Sequence, residues 1–170
     1  MIEIREEQPW DILLIREVNI QAFGQVQEAD IVDKVRRNCG DLLSLVGVAG
    51  DKVVGHILFS PVLLKRKERT VEGMGLAPMA VLPEYQRQGI GSQLIRTGIA
   101  RLASRRCPFI VVLGHAEYYP RFGFEPASRY GIRSEWEVPD EAFMILVLDQ
   151  SEMQDISGVA IYRPEFAEEI

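Results

Sequence analysis

The alternation of apolar and polar residues predicts a strand at the start of the chain and two helices after it. Ile2 and Ile4 alternate with polar residues, as in a strand with one buried face. Apolar residues then recur at helical spacing over residues 9–23 and 28–37, and Gly24 stands where the first helix would end. The chain is therefore expected to open with one strand followed by a pair of helices.

Apolar segments bounded by turn residues predict a central sheet in the rest of the chain. Residues 42–49 and 52–64 flank Gly50-Asp51, a pair typical of a tight hairpin turn. Helical spacing returns over residues 89–105. The remaining predicted strands cover residues 70–82, 109–113 and 142–148, with a last one, along an edge of the sheet, from about residue 158.

The segment from Met79 to Ser92 is the most informative stretch of the sequence. An apolar strand is stopped by Pro83, which cannot donate to a sheet ladder, and Gly89 and Gly91 then open the helix. The first N–H groups of a helix have no intrahelical acceptor, and the helix dipole makes that end positive. A strand, a glycine-containing turn and a helix therefore form a phosphate-binding arrangement.

Two common phosphate loops are excluded by the residues around these glycines. A Walker A loop needs Gly-Lys-Ser or Gly-Lys-Thr, and no lysine lies between Met79 and Leu102. The dinucleotide fingerprint needs glycines directly after the strand and a third small residue, where this chain has Pro83 and Leu94. The pattern that remains is Gln-x-x-Gly-x-Gly, at residues 86–91.

The composition is that of one ordinary globular domain. The chain has 170 residues, of which 47% are hydrophobic and 26% charged, and its net charge is −6. This negative charge argues against nucleic acid as a main partner, since duplex binding usually needs a basic face. The N-terminus has no signal-peptide pattern and no apolar run approaches membrane-spanning length, so no membrane partner is expected.

The cysteines and histidines do not suggest a metal site. Cys39 and Cys107 lie far apart in sequence without metal-ligand spacing, so free thiols in a reducing cytoplasm are expected. His56 and His115 are likewise far apart, and no metal cofactor is predicted.

Gln86, Gly89 and Gly91 resemble the acyl-coenzyme A (CoA) pyrophosphate loop of the GNAT superfamily of N-acetyltransferases, given the Met-Ala-Val-Leu-Pro before them and the amphipathic helix after them. The predicted order of elements is also similar to the GNAT fold over most of the chain. The resemblance implies an α/β (α+β) fold with a mixed central sheet, helices on both faces and a splay between the parallel strands 79–82 and 109–113. One GNAT-like domain over residues 1–170 is expected.

The resemblance implies that acetyl-CoA lies along this loop and the strand before it. Main-chain N–H groups at the helix start would bind the pyrophosphate, and the pantetheine arm would pair with the strand, one N–H of which would polarise the thioester carbonyl. The side chain of Arg87 either adds charge near the phosphates or faces solvent. The residues expected to contact the cosubstrate are Met79, Ala80, Val81, Arg87, Gln88, Gly89, Ile90, Gly91, Ser92, His115, Tyr118 and Phe122.

Tyr119 is the strongest candidate for the general acid. It stands four positions before Gly123, which matches the Tyr-x-x-x-Gly-Phe that the superfamily places near the coenzyme sulfur. A phenol with a pKa of about 10 is protonated at neutral pH and can donate to a departing thiolate. Tyr118 is the weaker candidate, and packing with the hydroxyl at the surface is the alternative for either ring.

The sequence departs from the family pattern just before this tyrosine. Leu113-Gly114-His115 stands where the family's helix commonly carries an Asn and an Ala, and Pro120 follows, so this helix is expected to be short. His115 is expected either to donate a hydrogen bond to the coenzyme or to be a loop residue without a ligand role. The general base is left open, and the candidates are His56, Glu72, Glu117 and Glu135.

The function implied by the resemblance is N-acetyl transfer from acetyl-CoA to a primary amine of a small molecule or peptide. Direct attack in a ternary complex is expected, because neither cysteine stands in a nucleophile-like context. A non-catalytic acyl-CoA-binding regulatory module and an O-acyl or longer-chain acyltransferase are the alternatives.

The identity of the acceptor is left open by the sequence. Residues 54–61 and 138–144 resemble a small bacterial subgroup whose members generally lack an assigned substrate. Trp136, between two glutamates, is expected either to hold a cationic amine or to pack in the core. An edge strand near the C-terminus would support a homodimer.

Overall fold

The structure is a computed structural model, and it describes residues 1–66 and 68–168. Its helices are α1 (Ile12–Phe23), α2 (Gln27–Asn38), α3 (Ile90–Ser104) and α4 (Pro164–Glu168). Its strands are β1 (Ile2–Glu6), β2 (Leu43–Ala49), β3 (Lys52–Lys65), β4 (Thr70–Val81), β5 (Phe109–Leu113), β6 (Glu125–Pro126), β7 (Ile132–Ser134), β8 (Phe143–Val147) and β9 (Gly158–Ile161). None of the helices in the described part of the chain is long and apolar enough to cross a membrane.

The strands form a mixed sheet with the hydrogen-bonded order β1-β2-β3-β4-β5-β8-β6, and β9 pairs with β3 and with β7. The β1–β2, β2–β3, β5–β8, β6–β8 and β3–β9 pairs are antiparallel, whereas β4–β5 and β7–β9 are parallel. The predicted parallel pairing of the strands before and after α3 is therefore confirmed. A strand, a crossover helix and a parallel strand place the start of α3 at the carboxyl end of β4.

The chain divides into two compact units. The first comprises Met1–Ser60, Ala77–Ala100 and the segment from Pro164, and the second comprises Pro61–Leu76 and Arg101–Arg163. The prediction of one domain over residues 1–170 stays a prediction.

In the first unit, helices cover both faces of the sheet. Ile90 of α3 lies so close to β2 and β3 that Cβ atoms added at Gly47 and Gly55 would be 3.3 and 3.0 Å from its Cγ2. On α1, Asn19 Nδ2 lies 3.2 Å from Nδ1 of His56. Gly55 and His56 are adjacent in β3 and project to opposite faces, so α3 and α1 lie on opposite sides. The expected arrangement of helices on both faces is confirmed here.

In the second unit, β5 is the central buried strand. Phe109, Ile110 and Val111 are 0% exposed, as expected for a strand that has neighbours on both sides. β5 pairs with β8 over its whole length and with β4 through Met74–Ile110 and Gly75–Val111. The short strand β6 pairs in turn with β8.

The end of the chain differs from the sequence prediction. β9 was expected along an edge, but it lies between β3 and β7 and is hydrogen-bonded to both. The edge-strand argument for a homodimer is therefore wrong. The segment before Gly123 forms only a 3-10 turn over Tyr119–Phe122, which confirms the expected shortening of the helix.

Candidate functional site

The loop between β4 and α3 is braced against the end of the strand. Leu82 N–H donates to Val54 O at 2.9 Å, which extends the pairing with β3 by one residue. A 3-10 turn over Pro83–Tyr85 follows. The side chain of Gln86 then reaches back, and its Nε2 donates to Val81 O at 2.9 Å. The glutamine of the Gln-x-x-Gly-x-Gly pattern thus fixes where the loop turns.

Two residues of this loop have left-handed backbone conformations. Arg87 has φ 64° and Gly89 has φ 83°, in the region that an L side chain enters only at a cost. Such alternation of conformation turns successive N–H groups toward one side and makes an anion-binding concavity. The sequence predicted the glycines of this loop but not the strained arginine.

The start of α3 is exposed to solvent where the loop meets it. Residues 86–89 are exposed, whereas Ile90 is 1% exposed and fixes the helix to the sheet. The first main-chain bond of the helix runs from Gln93 N–H to Gly89 O at 3.0 Å. The N–H groups of Ile90 and Gly91 precede it, at the positive end of a helix of 15 residues. This is the geometry of a phosphate-binding helix start.

The last residues of β4 lead into this loop. Ala80 is 3% exposed, and Met79 and Val81 are half-buried. Their side chains carry no group that could do acid–base chemistry, so any role in acyl transfer belongs to their backbone N–H and C=O groups.

Tyr119 is enclosed by aromatic rings and by glycine in the second unit. Its ring meets those of Tyr118 and Phe124 edge to face, with centroid distances of 5.2 and 5.7 Å. Gly114 packs against the edge of the ring. The side chain is 7% exposed, and burial, together with the charge of Tyr118, raises the pKa of Tyr119 to about 12. The phenol is therefore fully protonated near neutral pH.

Tyr118 and Phe122 extend this aromatic cluster. Their centroids lie 5.3 Å apart, and the guanidinium carbon of Arg121 lies 5.5 Å from the Tyr118 ring centroid. His115 is exposed, and its carbonyl accepts the N–H groups of Tyr118 and Tyr119 at 3.1 and 3.4 Å. The backbone of His115 therefore shapes the turn that carries both tyrosines.

Tyr162 interacts electrostatically with Tyr119, and the sequence alone does not predict this. It lies just after β9 and is 7% exposed. Burial raises its pKa, and the neighbouring charges of Glu135 and Tyr119 raise it further. A tyrosine 43 positions from Tyr119 carries no local signal, and only the pairing of β9 brings the two together.

His56, a candidate general base, is enclosed within a series of hydrogen-bonded polar side chains in the first unit. The ring is 0% exposed, Asn19 Nδ2 donates to its Nδ1 at 3.2 Å, and Ser44 Oγ lies 2.9 Å from its Nε2. Ser44 donates its own proton to Glu7, because a carboxylate only accepts. The Ser44 oxygen therefore accepts from His56, which fixes the neutral tautomer with the proton on Nε2.

The ion pair between Arg36 and Glu7 holds this series of hydrogen-bonded side chains in place. Arg36 donates to both oxygens of Glu7 at 2.8 and 2.9 Å. Burial raises the pKa of Glu7, but hydrogen bonds from Arg36 and Ser44 outweigh it and leave this pKa below its usual value. Burial lowers the pKa of His56 to about 4. A fully buried imidazole with both nitrogens engaged is not placed to take a proton from a substrate amine.

The other three candidates for the base are exposed side chains. Glu72 and Glu117 are exposed, and Glu135 accepts the Tyr162 N–H at 2.9 Å. In the ranges 1–66 and 68–168, no group of three or more His, Cys, Asp or Glu residues is placed to hold a metal ion.

The predicted site residues fall into two groups. Residues 79–81 and 87–92 lie on one segment of the first unit, at the end of β4 and the start of α3. His115, Tyr118, Tyr119 and Phe122 share one turn in the second unit. The first group offers main-chain donors for an anion, and the second offers one buried phenol.

Comparison with known proteins identifies the family. The model of the Acetyltransferase (GNAT) family matches residues 12–124, which is more than half of the chain. The chain belongs to this family. The predicted family, fold class and acyltransferase activity are thereby confirmed. The matched range contains both the loop before α3 and Tyr119.

Two curated relatives of this GNAT protein come from Escherichia coli K12. The uncharacterized N-acetyltransferase YjhQ is 45% identical over 130 residues, which is 75% of this chain and 72% of that protein. The uncharacterized N-acetyltransferase YhbS is 30% identical over 164 residues, which is 96% of this chain and 97% of that protein.

Two solved structures match the GNAT chain over nearly its whole length. The crystal structure of E. coli YhbS, in complex with CoA, has a TM-score of 0.90 and 31% identity, covering 98% of this chain and 92% of that one. A GNAT acetyltransferase from Brucella melitensis, in complex with acetyl-CoA, has a TM-score of 0.79 and 35% identity, covering 98% of both chains.

Proposed function

We propose that this GNAT protein transfers the acetyl group of acetyl-CoA to a primary amine of a small molecule or peptide, by direct attack in a ternary complex. The observation that carries the proposal is the start of α3, where main-chain N–H groups follow the left-handed Arg87 and Gly89. The two solved relatives in complex with CoA and acetyl-CoA support the choice of cosubstrate.

The loop would hold the pyrophosphate through its backbone. Arg87, Gln88, Gly89, Ile90, Gly91 and Ser92 are the proposed contacts, and Gln86 keeps the loop in register by its bond to Val81 O. Because residues 86–89 are exposed, an anion can reach these groups without any change in packing.

The thioester would lie along β4. The pairing of β4 with β5 runs through Met74–Ile110 and Gly75–Val111, and we propose that the backbone of Met79, Ala80 and Val81 pairs with pantetheine. One N–H group there would polarise the thioester carbonyl, as an oxyanion-hole donor does.

Tyr119 would then supply the proton that the departing sulfur needs. The neutral amine attacks the carbonyl carbon, the C–N bond forms and the C–S bond breaks. The thiolate takes the phenolic proton of Tyr119, the excess proton on nitrogen leaves to water, and the phenolate is reprotonated from solvent. Because burial raises the pKa of Tyr119 to about 12, the acid is in its required form throughout the physiological range.

The cysteines give no reason to invoke an acyl-enzyme. Cys39 and Cys107 are both half-buried, and Cys107 Sγ donates to Phe109 O at 3.1 Å. Neither has a histidine next to it in the sequence. A single displacement is therefore proposed. His115, Tyr118 and Phe122 would line the coenzyme side of the Tyr119 turn.

The test is CoA release from acetyl-CoA with a panel of amines, with Tyr119→Phe compared with Tyr118→Phe. Removing a general acid typically costs about 100-fold or more in turnover, so Tyr119→Phe is expected to lose that much kcat while its affinity for CoA is kept. Tyr118→Phe should keep most of its activity. Binding of CoA without turnover on any amine would instead indicate a non-catalytic acyl-CoA-binding module, and turnover only on alcohols or with longer acyl donors would favour the other alternative.

A further inference from the structure

A cavity of about 220 Å³ opens in the second unit, and its lining includes Trp136, which packs on Tyr162. Its lining includes Ile132 and Phe143, which are 2% and 4% exposed, and the half-buried Trp136. Arg133 and Glu137 also line it, and both are exposed. With Asp140, the lining thus combines buried apolar residues with one positive and two negative side chains.

Two of these charged side chains, Arg133 and Glu137, are not used by the fold. Neither Arg133 nor Glu137 forms an ion pair with any residue that the structure describes. A second carboxylate, that of Asp140, is held in the lining by the hydroxyl of Ser128, which donates to it at 2.8 Å. Unpaired charges of opposite sign in one cavity suit a ligand that carries both signs itself.

The walls of the cavity are fixed by contacts of their own. The main-chain N–H of Trp136 donates to Ser134 Oγ at 3.0 Å, and its indole packs on Tyr162 with ring centroids 5.0 Å apart. An indole face held in this way offers a further contact to an ammonium group. The buried apolar residues of the lining suit a chain of methylene groups.

Two lines of contact connect the cavity to Tyr119. Trp136 packs on Tyr162, and Tyr119 lies near enough to Tyr162 for its charge to raise the pKa of Tyr162. Phe143 pairs with Leu113 in the β5–β8 ladder, and the next residue, Gly114, packs on the Tyr119 ring. A ligand in the cavity would therefore lie within a few side chains of the proposed general acid.

We propose that this cavity binds the α-amino-acid head group of the acceptor, a basic amino acid such as lysine or ornithine whose side-chain amine receives the acetyl group. Arg133 binds the α-carboxylate, Glu137 and Trp136 bind the α-ammonium, and the methylene chain leads the terminal amine toward Tyr119. This inference rests on the proposed function, since it names the acceptor of that reaction. The terminal nitrogen forms the new C–N bond and loses one proton to water, the C–S bond breaks, and the sulfur takes the Tyr119 proton so that CoA leaves as the thiol.

The test compares three amines that share one chain. L-lysine carries both head-group charges, cadaverine lacks the carboxylate, and 6-aminohexanoate lacks the α-amino group. A charge-assisted contact is commonly worth about tenfold in affinity, so kcat/KM for lysine, read as CoA release, should exceed that of each analogue by about tenfold. Ornithine and putrescine form a second pair, which tests a shorter chain.

Two variants assign the charges separately. Arg133→Leu should raise KM for lysine by about tenfold and leave that for cadaverine unchanged, whereas Glu137→Gln should raise KM for lysine and leave that for 6-aminohexanoate unchanged. Arg129→Leu is the matched control, because Arg129 is exposed on the same segment, pairs with Glu125 and does not line the cavity. Equal kcat/KM for the three amines, or equal effects of a variant on all of them, would overturn the proposal.

Calorimetry separates this inference from the function on which it rests. If CoA binds and another amine is acetylated while lysine and ornithine neither bind nor react, the proposed function stands and this inference is wrong. If CoA does not bind, the proposed function fails. Lysine binding to the free protein that Arg133→Leu and Glu137→Gln each weaken would then support the cavity, and its absence would refute it.

Discussion

A Cβ atom added to Gly114 would lie 2.5 Å from Cε2 of Tyr119. The turn after β5 and the ring of the proposed acid are thus packed together with no room for a methyl group. The glycine stands where the GNAT family commonly has a helix, and its small size allows a tighter 3-10 turn to hold the tyrosine. The position of the phenol therefore depends on the absence of a Cβ atom at Gly114.

Gly114→Ala is expected to displace the Tyr119 ring. Overpacking of a buried contact commonly costs about 1–3 kcal/mol, so the free energy of unfolding in urea should fall by that order. The same shift should lower kcat by at least about tenfold, since acid catalysis depends on placement. Gly40→Ala is the matched control, because no atom lies within 4 Å of its added Cβ. A fully active Gly114→Ala protein would show that the contact does not position the acid.

Gly89→Ala should weaken CoA binding through the backbone alone. The added Cβ would meet nothing within 4 Å, but φ is +83°, and an L side chain in that region costs about 1–2 kcal/mol. If the loop relaxes to relieve this cost, its N–H groups move off the pyrophosphate. Gly24→Ala carries the same kind of strain at φ +70° with nothing within 4 Å, at the end of α1. Both variants should lose stability, and only Gly89→Ala should raise the Kd for CoA.

Stability should depend on pH through His56. Its pKa is about 4 in the fold, against 6.5 in the unfolded chain, so the unfolded state binds more protons between these values. The contribution of His56 to the free energy of unfolding is therefore fully present above about pH 6.5 and is lost as the pH falls toward 4. It amounts to about 3 kcal/mol. Urea unfolding at several pH values measures it.

The variant His56→Gln isolates this effect from that of the carboxylates. It should be less stable than the wild type at pH 7 but show a flatter dependence between pH 6.5 and 4. An unchanged slope in His56→Gln would contradict a neutral, buried imidazole.

The serines Ser44 and Ser60 should respond differently to alanine. Ser44 joins His56 to Glu7, so Ser44→Ala leaves a buried N–H without its acceptor and should cost about 1–3 kcal/mol. Ser60 is 0% exposed, and its Oγ has no hydrogen-bond partner among residues 1–66 and 68–168. Ser60→Ala should therefore cost little or stabilise. Equal losses of stability in the two variants would mean that the hydrogen bonds linking Asn19, His56, Ser44 and Glu7 do not stabilise the fold.

The parts of the site that the sequence predicted are those made by one contiguous segment. The loop from Gln86 to Gly91 follows from a strand stop, two glycines and a helical period that stand side by side in the chain. The shortness of the helical segment around Tyr119 follows from Pro120 in the same way.

The parts that escaped prediction are set by strand pairing or by short elements. The contacts of His56 join residues 12 and 37 positions apart, and only the β2–β3 register and the packing of α1 bring them together. β6, β7 and α4 are too short to show a period. The error at β9 has the same origin, because nothing local reveals that β3 and β7 flank it.

The central claim is that the start of α3 binds the pyrophosphate of CoA, and calorimetric titration tests it most directly. CoA and pantetheine share the thiol arm, but only CoA carries the pyrophosphate. The account predicts saturable binding of CoA and binding of pantetheine that is weaker by about 100-fold or more. Equal affinity for the two compounds, or no heat of binding with CoA, would contradict it.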